Sequence, residues 1–125
     1  METIVSISEE GKKYRVKTLL ETIEGISDKE YQKRVWIRGE GPECDDFCET
    51  VNNFSDDADP VLEDYRFYGL TETQYISLKE FSDQLDIFSG KHPGSELEFI
   101  DSPEWHRITE MAKEVLKAFD YKKNS

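Results

Sequence analysis

Apolar side chains along this chain recur with two different periods. Near the start, "TIVSIS" and "KYRVKTLL" flank "EEGK", a glycine-centred turn. Ile4, Val5 and Ile7, then Tyr14, Val16 and Leu20, supply the β-branched, aromatic and apolar positions of two arms. This reads as an N-terminal β-hairpin. Residues 21–32 contain a connection and leave open an extension of the second arm. "KRVWIRG" reads as a strand, with Val35 and Ile37 on one face and Trp36 on the other.

A helical period follows. Pro42 suits a first helical position, with Gly41 before it. Cys44, Phe47, Cys48, Val51 and Phe54 then fall at steps of 3, 1, 3 and 3, which is one helical face. "SDDADP" is a loop by composition, and "DYRFYG" a strand rich in rings. Ser77 and Glu80 have capping-box spacing and Ile76 and Phe81 have staple spacing, so a helix is expected to start there. Leu78, Phe81, Leu85 and Phe88 form its apolar stripe, and Ser89 and Gly90 end it. "ELEFID" reads as a short strand. Ser102 then caps a helix whose first residue is Pro103. Trp105, Ile108, Met111, Ala112, Val115, Leu116 and Phe119 make its continuous face. Lys117, Lys122 and Lys123 lie toward its negative end.

The expected order is β-β-β-α-β-α-β-α. That is an α+β domain spanning 1–125, with a mixed, mainly antiparallel sheet and about three helices packed on it. Residues 121–125 are expected to fray. A chain of 125 residues fits a single domain. Two cysteines are too few for a disulfide scaffold. The start resembles no signal peptide, and no run of about eighteen apolar residues occurs, so a cytoplasmic protein without a membrane span is expected.

Charge changes the picture most. The 28 acidic residues outweigh 16 basic ones, for a net charge of -12. Binding to nucleic acid through phosphate contacts is therefore not expected. Ten of the acids fall in residues 40–64: Glu40, Glu43, Asp45, Asp46, Glu49, Asp56, Asp57, Asp59, Glu63 and Asp64. No Lys or Arg interrupts them, and the rest of the chain holds 18 acidic against 16 basic residues.

Conventional chemistry finds little support. Zinc wants four ligands, and Cys44 and Cys48 could be joined only by His92 and His106, fourteen residues apart. A disulfide within one helical turn is awkward, so both cysteines read as small buried side chains. An EF-hand beginning at Asp56 would place Val61 and Phe67 where glycine and glutamate are required. A weak divalent-ion site in the 56–64 loop is the residue of that idea. "RGEGPE" has the glycines of a phosphate-binding turn, but Glu40, Glu43 and Asp45 would repel phosphate. No nucleophile-elbow sequence marks a Ser-His-Asp arrangement. No catalytic residue, metal or cofactor is expected.

The acidic span has two readings. One is a solvated helix face that keeps the protein in solution. The other starts from cost. Like charges on neighbouring turns destabilise a helix by a few tenths of a kcal/mol per pair, and lysines between them would relieve that. A span kept free of cations favours capture of a basic partner. Tyr65, Tyr68 and Trp36 are candidate ring anchors. In size, acidity and expected α+β pattern the chain resembles bacterial immunity proteins. That resemblance implies neutralisation of a cognate toxin; with the acidic 40–64 segment it gives the expectation of a monomeric or weakly dimeric inhibitor of a basic toxin, a nuclease among the candidates. A small enzyme or ligand-binding domain with a hidden cleft is the alternative. A DNA-mimic that blocks a DNA-binding protein is a further one.

Overall fold

Helices account for every regular element of the computed structural model, which describes residues 9–40, 46–91 and 93–121. In chain order they are α1 (Glu9–Ser27), α2 (Lys29–Tyr31), a π-helical segment (Gln32–Ile37), α3 (Phe47–Glu63), α4 (Glu72–Gly90), α5 (Glu96–Phe99) and α6 (Pro103–Ala118). The four long helices form a ring: α1 packs on α3 and α6, and α4 packs on α3 and α6. The result is a helical bundle, its core drawn from one stripe of each long helix.

The expected α+β fold is therefore wrong. No strand occurs among the described residues. The supposed second arm of the hairpin and its turn lie inside α1, and the first arm lies outside the described residues. Leu19, Leu20, Ile23 and Ile26 are buried, with Val16 packed against them. Those positions step by 3, 1, 3 and 3, so burying one face of a helix outweighs the local β preference of Tyr14 and Val16. The supposed strand "KRVWIRG" is the π-helical segment, where the Arg38 N–H donates to the Lys33 carbonyl five residues back at 3.1 Å. Gln32, Val35 and Trp36 are buried together on the core side of this segment. "DYRFYG" is a run of turns closed by Gly69 at φ +80. "ELEFID" holds the single helical turn α5.

Helix boundaries shift as well. "SDDADP" is not a loop. It continues α3, because Phe54, Ala58 and Val61 keep the helical step and are buried. Asp46 caps α3, its carboxylate accepting from the Glu49 N–H at 2.8 Å. α4 begins five residues before the expected capping box. Thr71 and Gln74 form the box instead, with bonds of 3.1 and 2.9 Å. The stripe Leu78, Phe81, Leu85 and Phe88 is buried, and α6 starts with the Ser102 cap and Pro103 as read from the sequence.

One buried polar residue ties three elements together. Gln32 has no solvent exposure. Its amide nitrogen donates to the carbonyls of Gly25 and Ile26 at 2.9 and 2.7 Å. These carbonyls belong to the last turn of α1, which lacks intrahelical donors. Its amide oxygen accepts the Trp105 indole N–H at 2.9 Å. Reversing the amide would set donor against donor and acceptor against acceptor, so the orientation is fixed by its partners. Around Trp105 gather Trp36, Phe47, Phe88 and Phe99, with ring centroids 5.1 to 5.9 Å from the indole. Phe47 and Phe99 meet the indole edge-to-face, the arrangement that ring quadrupoles favour, while Trp36 and Phe88 lie tilted against it.

Replacing Gln32 with the similarly sized Met leaves the buried Trp105 indole N–H and the Ile26 carbonyl without partners, and leaves the Gly25 carbonyl only the long 3.4 Å bond from the Asp28 N–H. Urea denaturation is expected to show a loss of about 3 kcal/mol. A loss below about 0.5 kcal/mol would mean that these groups find water instead.

Candidate functional site: the acidic face of α3

Phe47, Thr50, Phe54, Ala58 and Val61 all point into the bundle. They set the rotation of α3 about its own axis. At roughly 100° per residue, Glu49, Asp56, Asp59 and Glu63 then fall within about 80° of one another on the opposite side. All four are exposed. Asp57 sits off that face, half-buried toward α1.

Arg15 of α1 explains the inward acid and the proline beside it. Pro60 has no N–H, so the carbonyl of Asp56 lacks its usual donor four residues on. The Arg15 guanidinium supplies one, from Nη1 to that carbonyl at 3.2 Å. The same nitrogen lies 3.8 Å from the Asp57 carboxylate. Burial pushes the Asp57 carboxyl above its ordinary range; Arg15 pulls it back and Asp56 pushes it further up.

The other expected site residues divide into three groups. Glu43 and Asp45 lie outside the described residues. Glu40 and Asp46 are exposed but engaged: Arg38 pairs with the Glu40 carboxylate at 3.2 Å, and Asp46 caps α3. Asp64 is exposed at the end of α3. Tyr65 is half-buried, stacked on Tyr75 of α4 at 4.2 Å between centroids. Tyr68 is half-buried against the core. Trp36 is buried in the ring cluster and presents no anchor to a partner. The cysteine reading needs correction too. Cys48 is exposed and free, because Phe47 and Thr50 take the inward positions around it. Cys44 lies outside the described residues.

Sequence reasoning missed the acids contributed by α4. Asp86 and Asp83 are exposed on α4, and Asp86 feels Asp59 of α3. Partial desolvation raises the Asp86 carboxyl first, with Asp59 and Asp83 adding to it and Lys79 opposing. Lys79 itself bonds Asp83 at 2.8 Å. The signal was present: Asp83 and Asp86 sit between the stripe positions Phe81, Leu85 and Phe88, hence away from the core. The loop-like composition of 55–60 hides their proximity to α3.

The face consists of acceptor oxygens. It suits the ammonium and guanidinium donors of another protein. Among the described residues no group of three or more His, Cys, Asp or Glu side chains is arranged to hold a metal ion, and no helix is long and apolar enough to cross a membrane. No protein-family model, no curated protein and no solved structure matches the chain.

The raised Asp86 carboxyl has a definite sign. A proton held more tightly in the folded state means that stability falls as pH rises through the folded pKa. Asp86→Asn is expected to add about 0.5 kcal/mol at pH 7, the scale of an exposed charge interaction. The gain should vanish below about pH 3, where an ordinary aspartate is also protonated. Thermal melts at the two pH values check this, and an equal gain at both would reject the cause.

Proposed function

We propose that this chain is a small acidic inhibitor that captures a basic protein through the outer face of α3. A nuclease toxin neutralised by an immunity protein is the partner class whose chemistry fits best. Nuclease active sites are positive because they hold phosphates. Carboxylates on a rigid helix can stand where those phosphates bind. The observation that carries the reading is the shared outward direction of Glu49, Asp56, Asp59 and Glu63, none of which has an ion-pair partner among the described residues. Asp57, Glu40 and Asp46 have structural partners and are left out of the binding set. The likeness to immunity proteins now rests on size and acidity, since the α+β part of it is gone.

The test is a fourfold charge reversal, Glu49→Lys, Asp56→Lys, Asp59→Lys and Glu63→Lys. All four side chains are exposed, so folding should survive. Inhibition is measured against basic nucleases, beginning with any encoded beside this chain. The unaltered protein is expected to inhibit its target stoichiometrically. The variant should associate about tenfold more slowly at low salt and lose most of the salt dependence. Full inhibition by the variant would remove this face from the interface.

A further inference from the structure

We infer that a second surface, on the side of α1 away from Arg15, binds a small anionic amphiphile of the fatty-acid type. A groove of about 490 Å³ runs between the first half of α1, the 64–69 turns and Tyr121. Lys13, Val16, Lys17 and Leu20 line it from α1. They step by 3, 1 and 3, so they share one helical face. Lysine and apolar positions alternate along that face. Phe67 and Tyr68 form the opposing wall, and Phe67 is 41% exposed.

Size and charge select the occupant. The volume falls within the range of roughly 300–1,000 Å³ typical of small-ligand sites. A macromolecule needs a far broader footprint, about 800 Å² on each partner. The walls are mainly apolar, with a few cations at the rim. Lys12 is engaged, pairing with Glu9 and lying 4.3 Å over the Phe67 ring. Glu9, the one carboxylate lining the groove among the described residues, is thereby held by Lys12 and lowered in pKa, with Lys13 adding to the effect. Lys17 has no ion pair among the described residues. On a chain of net charge -12, cations set beside an exposed ring complement an anionic head on an apolar tail. The acyl chain would lie over Val16, Leu20 and Phe67, and its carboxylate would meet Lys13 and Lys17. The inference does not depend on the inhibitor reading, because it uses the side of α1 roughly opposite Arg15.

The experiment is a methyl NMR titration of the full chain with dodecanoate below its aggregation concentration. Dodecanol and butyrate serve as tail-only and head-only controls. Saturable one-to-one shifts centred on Val16 and Leu20 are expected. Lys13→Gln with Lys17→Gln should weaken dodecanoate about tenfold, and dodecanol should bind about tenfold more weakly than dodecanoate. Circular dichroism verifies that the variant folds, and Lys17→Gln alone gives a milder version. Four outcomes overturn the inference. They are no saturable binding, equal binding of dodecanol, an unaffected variant, or shifts centred on the exposed Ile76, Ile87 and Leu97. Shifts of the same methyls on raising protein concentration alone would assign the groove to a second copy. Stronger binding of a hexaglutamate peptide would assign it to an acidic protein segment. Either result also overturns the proposal.

Discussion

Everything about the arrangement of this bundle turns on how Gln32 is held. Its amide gives the last turn of α1 two of the donors it lacks and takes the indole proton of Trp105 from α6. A dry core would not tolerate that amide unless every one of these bonds were made. The π-helical turn brings Gln32, Val35 and Trp36 to the core side together. Trp105, once anchored, becomes the hub on which Phe47, Phe88 and Phe99 pack. Through Phe47 the same cluster sets the start and rotation of α3, with Phe54 against Phe81 fixing it further along. A second bond at the start of α3 agrees: the Phe47 N–H donates to the Glu96 carboxylate at 2.9 Å.

The function proposed for α3 follows from this rotation and not from charge alone. Rotate the helix by about a quarter turn and its acids would split between solvent and neighbour. Arg15 shows what happens to one that does face inward. Asp57 is paired, half-buried and raised in pKa, while the exposed acids of α3 keep their potential for a partner. Arg15 also satisfies the carbonyl that Pro60 orphans, so the cation serves the helix backbone as well as the acid. Acid on the outer face of α3 and lysine along part of α1 give the molecule two chemically opposite surfaces.

The sequence revealed period best where period was long and capped. The stripes of α4 and α6 could be read because each runs for about three turns or more, although only α6 starts at the cap read for it and the Ser77–Glu80 spacing lies inside α4. α1 was obscured by its first half, where Tyr14, Val16 and a glycine imitate a hairpin, although Leu19 to Ile26 already carry the helical step. Residues 32–37 are too few for periodicity to decide, and their β-branched and aromatic content favours the wrong choice. "SDDADP" illustrates composition misleading pattern: its polar residues suggest a loop, while Ala58 and Val61 continue the stripe begun by Phe54. For the site, the lysine-free acidic span was plain in the sequence. Which acids face outward was not, because that depends on Arg15, forty-odd positions away, and on the true start of α3. The same uncertainty misplaced Cys48, which a one-position change of phase moves from core to surface.

Carboxylate footprinting tests the central claim most directly. The free protein is labelled with a carbodiimide and a small amine, and each acid of α3 is followed by mass spectrometry. Glu49, Asp56, Asp59 and Glu63 should label at similar, fast rates, with Asp57 distinctly slower. An Asp57 as reactive as its neighbours, or a protected Asp56 or Glu63, would mean that the core does not rotate α3 as described.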